Sequence, residues 1–92
     1  MATEAQVLYL RKVEELVRSL DGTLRSDELA EVQHLVIHGE PAEGMRTLAW
    51  IIEEGKKTVF VSTKRRICDL SRDLVDIRDM PESFRGLLLE DE

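Results

Sequence analysis

Cysteine is nearly absent: Cys68 stands alone in 92 residues, so no disulfide can close within the chain, which fits a reducing cytosol. Only two prolines and five glycines interrupt the sequence, leaving room for long helices. Long apolar runs are missing too. The longest uncharged one, LAWII at 48–52, is far short of the ~20 residues that span a bilayer. The amino-terminal stretch MATEAQVLYLRK has no apolar core of signal-peptide length. Together these absences predict a soluble, cytoplasmic protein that does not engage membranes. Nothing resembles a phosphate-cradling Gly-rich loop, a nucleophile elbow or a Cys-based metal cluster.

Charge is abundant, at 35% of residues, and it is unevenly placed. Residues 1–55 hold 5 Lys/Arg against 11 Asp/Glu, and residues 56–92 hold 8 against 8, so the formal charge of −6 falls in the first part. An acidic surface repels a phosphate backbone, which excludes nucleic acid as the expected partner. It favours a basic protein instead and speeds that encounter. The whole chain, 1–92, reads as one domain, and at this size it buries only about 60–65% of its unfolded surface.

Apolar periodicity predicts an all-α fold. In residues 4–20, Tyr9, Val13, Leu16, Val17 and Leu20 share one side of a helix, with Arg11–Glu15 and Glu14–Arg18 placed to pair outside. Asp21-Gly22 ends it. Ser26 is the expected cap of a second helix, with Asp27 and Glu28 in its positive first turn and Leu29, Val32, Leu35 and Val36 inward. Gly39 stops that helix, and Pro41 opens a third, with Ala42, Met45, Leu48, Ala49 and Ile52 inward and Gly55 as its end. KKTVFV at 56–61 reads as an extended crossover with Val59 or Phe60 plugging the core, or as a short edge strand. Ser62 or Thr63 caps a fourth helix, whose repeat runs Ile67, Leu70, Leu74, Ile77 until Pro81. Phe84, Leu87 and Leu88 return on a last short turn, and 90–92 is a frayed tail. The expected architecture is a small four-helix bundle with a short C-terminal helical turn.

Several segments invite a sharper reading. SLDGTLRSDEL matches the second half of an EF-hand loop at Asp21, Gly22, Thr23, Leu24 and Glu28, but its leading ligand positions fall on Val17 and Ser19. Calcium needs 6–8 oxygens, and Val17 offers none, so the segment is a helix stop followed by a helix start. HLVIH places His34 and His38 one turn apart, yet Leu35 stands where a zinc protease needs its Glu. A clip with Glu31 as third ligand remains open, although no metal or cofactor is expected.

Asp27, Glu31, His34 and His38 form one stripe opposite the apolar one, either a solvated face or an acidic binding surface. Trp50 lies off the inward face of helix three, beside Glu43, Thr47 and Glu54. It is either an interface anchor or covered by Phe84 and the LLL segment. Cys68 lacks a paired base and reads as a packing or surface residue, not a nucleophile. KRR at 64–66 marks a partner contact or a local pairing with acids.

The run L-x-x-V-x-x-L-V-x-HGE, from Leu29 to Glu40, followed by GMRTL at 44–48 and VS at 61–62, resembles the MafI-type immunity proteins of bacterial polymorphic toxin systems. The likeness covers roughly residues 20–89. It departs at Arg46, where an acid is expected, at Trp50, where a polar residue is expected, and in the longer GKKTVF connection. The resemblance implies a non-enzymatic protein that binds and blocks a cognate toxin domain, presumed basic from the charge above. Asp27, Glu31, His34, His38, Glu40, Glu43, Trp50 and Glu54 would supply the contact surface, and a monomer in the complex is expected over a homo-oligomer. The alternative is a regulatory or adaptor helical module, dimeric in one version, with a partner that is not a toxin.

Overall fold

In the computed structural model, which describes residues 3–90, the amphipathic repeats form five α-helices: α1 (Glu4–Ser19), α2 (Ser26–Ile37), α3 (Pro41–Glu54), α4 (Val61–Ser71) and α5 (Glu82–Glu90). A 3-10 turn, Ile77–Asp79, links the last two. The described residues contain no strand, only an isolated bridge between Asp21 and Leu24. The fold is therefore all-α, as the periodicity predicts. It is a flattened five-helix globule of 36 × 31 × 20 Å, not a four-helix bundle with an appended turn. No described helix is long and apolar enough to cross a membrane. Of the tail expected to fray, Glu90 belongs to α5 and meets Arg65 at 3.2 Å, while 91 and 92 lie outside the described residues.

The helix ends show how local chemistry sets the path. Thr3 and Gln6 cap α1 reciprocally: the Gln6 N–H donates to the Thr3 hydroxyl at 3.1 Å, and the Thr3 N–H to Gln6 Oε1 at 2.8 Å. Gly39 ends α2 at φ +86°, where a side chain would be strained. The Glu40 N–H reaches back to Leu35 O at 2.8 Å and the Gly39 N–H to Val36 O at 3.2 Å, the two bonds of a Schellman turn. Glu40 O then accepts from the Gly44 N–H, so His38-Gly39-Glu40 closes α2 and opens α3 at once.

Two predicted boundaries shift, while α3 ends at Gly55 as expected. The cap of α2 is Arg25, not Ser26, because Glu28 reaches back to accept the Arg25 N–H at 2.9 Å. The cap of α4 is Phe60, not Ser62 or Thr63, and Phe60 is 81% exposed while Val59 packs against the core. At the end of α3 the left-handed residue is Lys56 (φ +50°), with the Lys57 N–H bonded to Ile52 O, whereas Gly55 is right-handed at φ −79°. A Cβ on Gly55 would lie 2.8 Å from Ile51 O, which explains why the glycine sits one residue earlier.

The largest departure is in α4, which ends at Ser71 instead of running on through Ile77. The Ser71 hydroxyl donates to Ile67 O, and the Leu74 and Val75 N–H groups converge on Ser71 O in a tight turn. Asp76 then accepts the Arg78 N–H at 2.9 Å and starts the 3-10 turn. Hydrogen bonds from the Arg78 side chain and then its backbone hold the Asp76 carboxyl down at about 2. Leu74 is consequently exposed and Ile77 only half-buried.

The core gathers Leu16, Met45, Leu48, Ile52, Ile67 and Phe84, all but sealed from solvent. Cys68 is fully buried beside them, its thiol 3.7 Å from Phe84 O, so it packs. Tyr9 ties α1 to α4: its hydroxyl donates to Leu70 O at 2.8 Å, and burial pushes its pKa up to about 12. The most extensive helix contact joins α2 and α3. It depends on Gly44, where a Cβ would lie 2.7 Å from Val36 Cγ2 and 3.3 Å from Val32 O.

Gly44→Val, which places a branched carbon in that space, is expected to destabilise by about 2–3 kcal/mol in urea titrations. Lys56→Gly removes a left-handed side chain that makes no bond among the described residues. It is expected to raise stability by about 1 kcal/mol, a gain of roughly 4–8 °C in Tm by calorimetry.

Candidate partner-binding groove

The outward stripe of α3 repeats at three and four residues: Glu43, Arg46, Thr47, Trp50, Glu54. Arg46, Thr47, Trp50, Ile51 and Glu54 line an open depression of about 540 Å³, with Glu28 of α2 across from them. Trp50 is the centre of this stripe. It retains 36% of its exposure, and its indole N–H donates to Asp79 O at 2.7 Å. Of the two readings of Trp50, anchor or residue covered by Phe84 and the LLL segment, the structure shows a ring about two-thirds covered, with Phe84 fully buried in the core. A carbonyl of the 3-10 turn occupies the polar edge of the ring, while Trp50 remains part of the lining of the depression.

The acids around Trp50 are not equally available. Asp27 pairs with Arg25 at 3.1 Å, and Glu43 grips Arg46 with both oxygens. Glu28 is largely covered, bonded to the Arg25 N–H and 3.9 Å from the Lys57 ammonium. Glu54 has no ion pair among the described residues and is the uncompensated acid of the lining; Glu31 and Glu40, outside it, are also unpaired. Arg46 therefore has a structural effect as well as a place in the groove: it neutralises Glu43 and shifts the acidic character toward Glu54.

His34 and His38 are exposed, with ring centroids 4.2 Å apart and planes tilted by 49°. The described residues contain no group of three or more His, Cys, Asp or Glu able to hold a metal, so Glu31 does not complete a clip. Val17 is buried and the Ser19 hydroxyl donates to Leu16 O, which leaves Asp21-Gly22 as a turn with φ +87° at the glycine. Within KRR, Lys64 lies 5.4 Å over the Phe84 ring and Arg65 reaches Glu90.

Of the eight residues expected at a contact surface, Trp50 and Glu54 line the groove, and Glu43 adjoins it through Arg46. Asp27, Glu31, His34, His38 and Glu40 stand outside its lining, on α2 and the turn after it. Glu28, Arg46, Thr47, Ile51 and Gly55 also belong to the lining and lie outside that expected set. Spacing alone points to Arg46 and Thr47, one turn before Trp50, whereas Glu28 reads in the sequence only as an acid at a helix start. A second, more apolar depression of about 640 Å³ lies elsewhere, between Tyr9 and Leu10 of α1, Val36 and Ile37 of α2, Pro41 and Leu74.

Trp50→Phe keeps the ring but removes its donor, leaving the Asp79 carbonyl without this partner. It is expected to cost about 1 kcal/mol in denaturant melts, with faster amide exchange in residues 77–80. No family model, no characterised protein and no solved structure matches the chain.

Proposed function

We propose that this chain is a non-catalytic immunity protein, which neutralises a cognate bacterial toxin domain in the cytoplasm by stoichiometric binding through the α2–α3 groove. The observation that carries the proposal is Trp50 held at the centre of an open, partly apolar groove in a protein of charge −6. An aromatic anchor of this kind supplies most of the contact energy at a protein interface, in a site that excludes water around it. Glu54 beside it, and Glu31 one turn beyond Glu28, supply free carboxylates that steer a basic surface toward the anchor. The toxin's positively charged active-site cleft fits this chemistry, and occupying it requires no reaction by the immunity protein. The HGE turn positions the groove without joining it: its backbone bonds are spent on joining α2 to α3.

Co-expression with the product of the neighbouring gene tests the proposal by growth rescue, recovery of a one-to-one complex and titration calorimetry. Thr47→Arg and Glu54→Lys change exposed or half-exposed groove atoms without entering the core. Glu54→Lys is expected to slow association and weaken its salt dependence. Trp50→Ala is expected to weaken binding by about 2 kcal/mol or more, roughly 30-fold. Unchanged affinity and full rescue in all three variants would place the contact elsewhere.

A further inference from the structure

The first half of α1 is apolar on more sides than its contacts use. Tyr9 turns inward to Leu70, yet Val7, Leu8 and Leu10 keep 45%, 49% and 40% of their exposure. Helices with apolar residues all round are normally covered all round. Val7 and Leu8 fall with Glu4 and Arg11 on one outward stripe, at positions i, i+3, i+4 and i+7. The stripe has an acid at its amino end, two branched apolar residues in its middle and a base at its carboxyl end. Neither Glu4 nor Arg11 has an ion pair among the described residues; Arg11 does not join Glu15.

That order of groups is complementary to itself when reversed. We propose that the chain forms a homodimer in which α1 packs antiparallel against α1 of a second copy, about a twofold axis passing between Val7 and Leu8. Each Glu4 then meets Arg11 of the other copy, twice over, and Val7 packs against Leu8 of the other copy. A closed, isologous contact of this type needs only one surface patch. The parallel arrangement opposes Glu4 to Glu4 and Arg11 to Arg11, so charge selects the antiparallel one.

The helices overlap over residues 4–11, roughly 12 Å at about 1.5 Å per residue. It is smaller than the ~800 Å² per partner of a standard interface, so the dimer is weak and dependent on concentration. The exposed Leu10 borders this stripe and also lines the apolar depression with Ile37 and Leu74, extending the apolar area next to the contact. The stripe shares no residue with the Trp50 groove, so the dimer leaves both grooves free and does not rest on the function proposed above.

Sedimentation equilibrium of the full chain, from low micromolar to near-millimolar concentration at physiological salt, tests the proposal. The average mass is expected to rise from 10.6 kDa toward twice that value. Glu4→Arg and Arg11→Glu, each alone, oppose like charges at both ends and are expected to weaken self-association at least about tenfold. The double variant restores opposite charges and is expected to dimerise again. The two single variants, mixed in equal amounts, are expected to associate with each other. Leu8→Asp is expected to remain monomeric, with circular dichroism confirming an intact fold. A constant mass of 10.6 kDa for the unmodified chain overturns the proposal, as does self-association that the single reversals leave unchanged.

Discussion

The close approach of α2 and α3 at Gly44 is the constraint on which the rest of the molecule depends. A short reversal at Gly39 forces the two helices to run side by side, and the bonds of Glu40 and Gly39 onto Leu35 and Val36 fix the angle at which they part. Once α2 and α3 lie this close, Val36 occupies the space that a side chain at position 44 would need. The pair then offers two usable sides. One presents Leu29, Val32, Met45, Leu48 and Ile52 to the core. The other carries the groove, so the spacing of its walls follows from a missing methyl group on the opposite side.

The charge of the groove is subtler than a count of its acids. Local pairs with Arg25 and Arg46 offset Asp27 and Glu43, and Glu28 serves the backbone at the start of α2. Exposed pairs of this kind add little stability, but they decide which carboxylates remain to act at long range. Within the lining the unpaired acid is Glu54 at the end of α3, while Glu31 on α2 and Glu40 in the following turn stay unpaired outside it. On the proposed reading, a basic partner would therefore meet a directed field and not a uniform one.

Much of this was legible from spacing alone. The inward stripes of α1, α2 and α3 are buried residue for residue, apart from the half-buried Tyr9, Leu35 and Ala42. Gly22 and Gly39 take the left-handed conformations that their positions require. The misreadings share a cause, which is that a local bond outcompeted a repeat. Ile67, Leu70, Leu74 and Ile77 keep helical period on paper. The Ser71 carbonyl, the Ser71 hydroxyl and the Asp76 cap nonetheless turn the chain before Leu74. Glu28 was visible as an acid at a helix start, but its place across a groove from Trp50 depends on how α2 meets α3. Trp50 itself lay between two readings because its partner, the Asp79 carbonyl, is a backbone atom 29 residues away that no side-chain pattern announces.

That bond has a consequence for recognition. A tryptophan on an open surface samples several rotamers, and a partner that captures one of them must freeze the others. Here the indole edge is already fastened to the turn. The turn is braced in its own right by Arg85, which donates to Met80 O at 2.8 Å and to Arg78 O at 3.2 Å. The ordering entropy of the anchor is thus lost when the C-terminal segment folds, before any partner arrives. On the proposed reading, docking against Trp50 would meet a ring with a fixed orientation, and the affinity of the groove would be linked to the integrity of α5, which contributes no residue to its lining.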